Sequence, residues 1–279
     1  MIGKWQRRAF QVGGAGLAAH LLPSVLVLGS WLPLRSFPLG ICRWRGPRAL
    51  GTLGPGPLQT GDIGQDPSAR RCTGGGGAVA LTFDDGPHPE GTPAVLEALD
   101  RLGLRATFFC LGSLIGEQPA LVGEIARRGH QIETHGYRHE HHLLRSPSWV
   151  RSDVRAAVET MGFHGLVPKW YRPSYGQISA ATVFAAKEQR LETVLWSAWG
   201  REWLTDDPVT VAASVIARLE EGAIVLLHDN DAFGRERMWE TVVAALPTIA
   251  AELKRLELHA VTLDQLVSVE RSSSVRPPS

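Results

Sequence analysis

The stretch AVALTFDDGPHPEGT, residues 78–92, decides how the rest of the chain is read. An uncharged apolar run, 78–83, stops at two consecutive carboxylates, Asp84 and Asp85, and a Gly86-Pro87 turn. Thr92 before Pro93 then reads as a helix N-cap followed by the proline that the first helical position tolerates. Working outward, the same texture recurs. Further short apolar runs lie at 106–111, 131–134, 169–171, 192–196, 223–227 and 258–262. Segments with helical signals separate them. Asp207 before Pro208 and Ser179 before AATVFAAKEQR are start signals, and Gly129 and Gly222 are closing glycines. Strand and helix alternating in this way imply an α/β fold with a mainly parallel sheet and enough units to close into a barrel.

In such a barrel the C-terminal strand ends share one face, where active sites are built. Here that face would gather Asp84 and Asp85, His135, Arg172, Ser197, and His228 with Asp229. Consecutive side chains at a strand end point to different sides. One aspartate can therefore hold a cation while its neighbour faces a substrate; the pair can equally cap the turn at Gly86-Pro87. His135 and His139 have the H-x-x-x-H spacing that presents two imidazoles to one metal ion, with His141 and His142 as competing ligands or capping groups. Two histidines and one aspartate would leave a position for water on a zinc-like ion. A buried Arg172 needs a carboxylate partner, either a catalytic aspartate or an ordinary salt bridge. His228 closes the apolar run IVLLH, where it is either a rim histidine or a general acid, and Leu226 faces the same side.

Composition sets the outer bounds. With 279 residues, 44% hydrophobic and 20% charged, most of the chain can bury a core and global disorder is excluded. Lys+Arg 29 against Asp+Glu 28 gives net charge +1, so nucleic acid has no electrostatic claim as a partner. Cys42, Cys72 and Cys110 form neither a disulfide framework nor a CxxC zinc motif. Residues 9–34 contain no Asp, Glu, Lys or Arg and would span roughly 39 Å as a helix, enough to cross a bilayer. Lys4, Arg7 and Arg8 precede this run, and Trp5 and Trp31 sit where interfacial aromatics belong. A cleaved signal peptide is the alternative, but no clear small-x-small site follows. The expected organisation is a membrane anchor at 1–45, a flexible Gly/Pro-rich linker at 46–77, a catalytic domain at 78–268 and a disordered tail at 269–279.

In order, TFDDGP, His135-x-x-x-His139, Arg172-Pro-Ser-Tyr-Gly and Leu226-Leu-His228 resemble the polysaccharide deacetylase (NodB-homology) family, carbohydrate esterase family four, across roughly residues 78–267. The resemblance implies a distorted (β/α)7 barrel and a metal-dependent hydrolase that removes N-acetyl groups from a peptidoglycan- or chitin-like glycan. It implies Asp84 as general base, and Asp85, His135 and His139 as ligands of one Zn2+ or other divalent transition-metal ion. Arg172 would hold the base, His228 would be the general acid, and Leu226 would line a small acetyl pocket. Tyr175 and Trp203 would either stack on sugar faces or pack at the rim, and the Tyr175 backbone N–H would face the oxyanion. One motif departs: Glu202-Trp203 stands where the family has Asp-Trp. If Glu202 is the carboxylate that supports Arg172, its extra methylene moves it by about a bond length, enough to alter rate through positioning. Ser174 is a milder departure. Two other functions fit the residues, deacetylation of a lipid-linked amino sugar and a non-catalytic membrane-tethered glycan-binding module. Four arginines after the apolar run (Arg35, Arg43, Arg45, Arg48) point to a cytoplasmic domain, whereas a cell-wall substrate points to an extracytoplasmic one. The expected location is the cell membrane, single-pass, with the catalytic domain outside. No protein partner is expected.

Overall fold

In the computed structural model, which describes residues 77–273, the opening stretch forms the central strand, β1 (Ala78–Asp84). It leads through α1 (Gly91–Leu102) to β2 (Thr107–Cys110), and α2 (Gly112–Glu117) and α3 (Pro119–Arg127) lead to β3 (Gln131–Thr134). Then come α4 (Pro147–Phe163), β4 (Trp170–Tyr171), α5 (Ala180–Glu188) and β5 (Glu192–Thr193). β6 (Ala198–Trp199) is next, and α6 (Pro208–Ile216) precedes β7 (Ile224–His228). The last elements are α7 (Met238–Arg255), β8 (His259–Val261) and α8 (Leu263–Ser273). All pairings are parallel, in the order β5-β4-β3-β2-β1-β7-β6, with β8 beside the first half of β1.

Strand alternation divides the core in two. Val79, Leu81 and Phe83 pack outward against helix residues including Leu96, Leu99, Val242 and Leu246. Ala78 and Ala80 face inward with Phe109, Trp170 and Ile224, and Leu263, Leu266 and Val267 of α8 join that inner cluster. Each large side chain buried this way contributes roughly 1.5–3 kcal/mol relative to exposure. Thr82 and Asp84 continue the inward parity, which brings the Asp84 carboxylate to the C-terminal mouth.

Several expectations need revision. The sheet curls, but no hydrogen-bonded pairing joins β5 to β6 among the described residues, so the barrel is open at that seam. The run expected as one strand at 192–196 yields only the two residues of β5, while β6 pairs with β7 on the opposite edge. Ser197 thus precedes a strand instead of ending one; its Oγ accepts from Ile224 N at 3.1 Å. Thr92 does not cap α1, whose N-cap is Glu90; its hydroxyl donates to Asp229 Oδ2 instead. Asp207 and Ser179 do cap α6 and α5, Ser179 within a capping box. Gly129 lies just past α3 at φ +80°, but Gly222 sits in the turn into β7, since α6 ends at Ile216. The apolar run 9–34, nearly all of the linker and residues 274–279 lie outside the described residues. Among the described residues no helix is long and apolar enough to cross a membrane.

Candidate active site

Six of the expected groups meet at the C-terminal mouth. Asp84 ends β1 in register with His228 at the end of β7. Its Oδ1 accepts from Arg172 Nη1 at 2.7 Å, and both residues are buried. Thr82, two positions back on the same face, accepts a second bond from that Nη1 at 2.6 Å, and the guanidinium lies 4.0 Å from the Phe109 ring centroid. Arg172 therefore fixes one oxygen of Asp84 and leaves the other, Oδ2, to the mouth.

Asp85 points elsewhere because its backbone is left-handed, φ +76°. Asn230 Nδ2 donates to the Asp85 carbonyl at 2.8 Å and holds this conformation. Gly86 is required next, since a Cβ there would come 2.5 Å from Asp229 Oδ2. Asp85 Oδ1 consequently reaches within 3.1 Å of His135 Nε2 and 3.3 Å of His139 Nε2. The His135 ring stands between the two aspartates, its Nδ1 3.7 Å from Asp84 Oδ2. Burial raises the Asp85 carboxyl, but the His135 hydrogen bond and the charges of His228, His135 and His139 outweigh it and hold the group below the usual carboxylate range. Burial keeps His139 neutral by lowering it to about 3, against the attraction of Asp85.

A divalent cation fits these residues. Asp85, His135 and His139 each offer one ligand atom, and the three atoms lie within 4.8 Å of one another. Asp85 Oδ1, His135 Nδ1 and His139 Nδ1 are buried, and Asp85 Oδ1 is faced by two imidazole Nε2 atoms, a carboxylate-and-imidazole cluster that suits a positive partner. One oxygen and two imidazole nitrogens suit zinc or a similar transition ion.

The loop carrying both histidines is held from α4. Asp153 accepts from Tyr137 N at 3.0 Å and Arg138 N at 3.2 Å, between His135 and His139. Gly136 at φ +93° lies against it; a Cβ would sit 3.1 Å from Asp153 Oδ2. The sequence carried a signal for Asp153: it falls on the buried stripe Val150, Val154, Ala157 and Met161 of α4, where a carboxylate is out of place unless it is bonded.

Glu202 is placed differently from its expected position. Its Oε1 lies 2.8 Å from His228 Nδ1, so it supports the histidine and not Arg172, whose carboxylate partner is Asp84. The longer side chain is accommodated in full burial. Burial lowers the His228 pKa, but the hydrogen bond and charge of Glu202, with Asp85 and Asp84, reverse this and raise it to about 9. His228 Nε2 faces the site, 3.9 Å from Asp85 Oδ2. Trp203 stands edge-on to His228 at 5.5 Å. Leu226 is buried in register with Thr82. Tyr175 is exposed at 46%, adopts φ +58° and stacks on His141 at 3.7 Å. Thr82, Asp153, Asn230 and Phe233, which stacks on His139 at 4.1 Å, escaped the sequence reading.

The chain is similar to known proteins over this same domain. Residues 72–194 match the family described as polysaccharide deacetylase. A peptidoglycan-N-acetylglucosamine deacetylase of Bacillus cereus is 34% identical over 192 residues, covering 68% of this chain and 87% of that protein. A chitooligosaccharide deacetylase of Bradyrhizobium sp. is 32% identical over 197 residues, covering 68% and 90%. Among solved structures, a family 4 carbohydrate esterase from Streptomyces lividans in complex with acetate matches with TM-score 0.60 at 30% identity, over 66% of this chain and 91% of that one.

Proposed function

Because the chain belongs to the polysaccharide deacetylase family, hydrolases of N-acetyl amide bonds, we propose that it removes acetyl groups from N-acetylglucosamine residues of peptidoglycan, using one divalent cation held by Asp85, His135 and His139. The observation that carries this reading is the pairing, side by side at one mouth, of a carboxylate fixed by arginine with a histidine held by a carboxylate, Asp84 on Arg172 and His228 on Glu202. The similarity to peptidoglycan deacetylases supports the choice of glycan.

The bound ion, zinc or a comparable transition metal, would polarise the acetamide carbonyl and make water more acidic. Asp84, its Oδ1 occupied by Arg172, uses Oδ2 to take a proton from the attacking water. The new C–O bond turns the carbonyl carbon tetrahedral, and the Tyr175 N–H is the donor assigned to the oxygen that gains charge. His228, whose pKa Glu202 raises against the effect of burial, gives the Nε2 proton to the amide nitrogen, so that C–N cleaves to acetate and a free amine. Leu226 lines the acetyl pocket, and Trp203 and Tyr175 border the sugar. Residues 9–34 serve as an uncleaved membrane anchor that holds the domain outside the cell, close to that substrate.

The test is acetate release by the full-length chain from peptidoglycan and from chitin oligosaccharides, before and after chelation and zinc readdition. Release that chelation stops and zinc restores is expected. Cation binding without acetate from any N-acetylated glycan would leave a binding module in place of an enzyme. Protease accessibility in intact cells checks the orientation, and a shielded domain would favour a lipid-linked substrate.

A further inference from the structure

The histidine loop carries two more imidazoles, His141 and His142, that the mechanism leaves unused. Spacing alone makes them competitors for the cation. Among the described residues, however, the atoms that gather for a cation belong to Asp85, His135 and His139. His142 is buried, with Nδ1 3.3 Å from the Tyr171 hydroxyl and 3.4 Å from Thr182 Oγ1. It ties the end of the loop to β4 and to the first turn of α5. Its neighbour His141 meets the turn that follows β4. The His141 ring lies flat on that of Tyr175, with centroids 3.7 Å apart and planes only 3° apart.

Tyr175 has a backbone in need of support. Its φ of +58° lies in the left-handed region, which is unfavourable for a residue with a Cβ. The turn is closed by Gly176 N on Pro173 O at 2.9 Å and by Gln177 N on Ser174 O at 3.2 Å. Neither bond uses the Tyr175 N–H, which has no acceptor among the described residues. The Tyr175 ring is 46% exposed, so the core does not fix it, and its contact with His139 at 4.3 Å is tilted by 56°. That leaves the parallel stack on His141. Stacking of two rings is comparable in scale to the penalty of a left-handed residue, so one can offset the other.

We infer that His141 is a positioning residue, whose ring holds Tyr175 in the left-handed conformation in which its N–H serves the oxygen that gains charge. This rests on the deacetylase reading above. The chain has three tyrosines, so isotopic labelling of tyrosine in the full-length protein gives three amide signals, and the HN–Hα coupling of Tyr175 reports its φ. In His141→Ala that coupling should leave its wild-type value and kcat on chitin tetrasaccharide should fall about tenfold, while KM and zinc affinity hold. His141→Phe, flat but unable to bind a cation, should restore both the coupling and kcat. An unmoved coupling or an unchanged kcat in His141→Ala overturns the inference, and weakened zinc binding there would make His141 a ligand instead. If the wild-type protein releases no acetate while the coupling still moves, the deacetylase reading falls and the hold of His141 on Tyr175 stands.

Discussion

Toward the N-terminal end of the strands, the buried Glu133 carboxylate accepts from Lys169 N, Trp170 N and Gln131 Nε2 at 2.6–2.8 Å. Nearby, Lys169 and the Trp170 indole both donate to Asp264 on α8. At the C-terminal end, Asp85 Oδ1, His135 Nδ1, His139 Nδ1, Glu202 Oε2 and Asp229 Oδ1 are equally buried and lack such partners. His130 Nε2 is the exception at the lower end. The same sheet thus satisfies its polar atoms where it needs only to stay folded, and leaves them open at the proposed cation and substrate site. The difference between a structural carboxylate and a functional one lies in what remains unbonded, not in depth of burial.

The largest expected break in this contrast is chemical. Asp84→Asn keeps the shape and should cost about 10³-fold in kcat while zinc affinity, read by titration, persists. Loss of zinc instead would reverse the roles of the two aspartates. Leu266→Ala acts on the other end alone: a cavity under α8 should cost about 3 kcal/mol by denaturant unfolding, with the zinc dissociation constant unchanged. Asp153→Asn sharpens the boundary, because its carboxylate positions the histidine loop from outside the site. Zinc affinity should drop about tenfold to a hundredfold, and an unchanged affinity with a lowered melting temperature would make Asp153 purely structural. The mildest change is a slope. Burial raises Glu133 from 4.5 to about 7 against its hydrogen bonds, so its contribution to stability is complete below pH 4.5 and is lost as pH rises through 7. The difference in melting temperature between wild type and Glu133→Gln should therefore change across that window.

How far the sequence reveals this depends on the range of the interaction. The aspartate pair at the tip of β1 and the His135–His139 spacing are local patterns, and the structure brings them together as their strand ends require. Arg172 was legible as a buried cation needing a carboxylate, and Asp84 is the one it meets. Pairings that depend on fold geometry were not legible. Glu202 reaches His228 because β6, only two residues long, pairs with β7 and not with β5. Nothing periodic marks so short a strand. Asn230 acts through a backbone group far away in sequence, and such a bond leaves no spacing to read, whereas Asp153 shows itself only as a carboxylate on an apolar helix stripe.

The pairing of β1 carries a consequence for how the protein fails. It is bonded to β2, β7 and β8, whereas β5 and β6 are the sheet's two-residue edges. Amides of β1 should exchange with solvent only when the whole domain opens, while those beside β6 exchange through local fraying. Glu202 and Trp203 hang directly from β6, and the two aspartates hang from β1. Mild heating should therefore loosen the support of His228 first, giving a protein that still captures its cation but has stopped turning over.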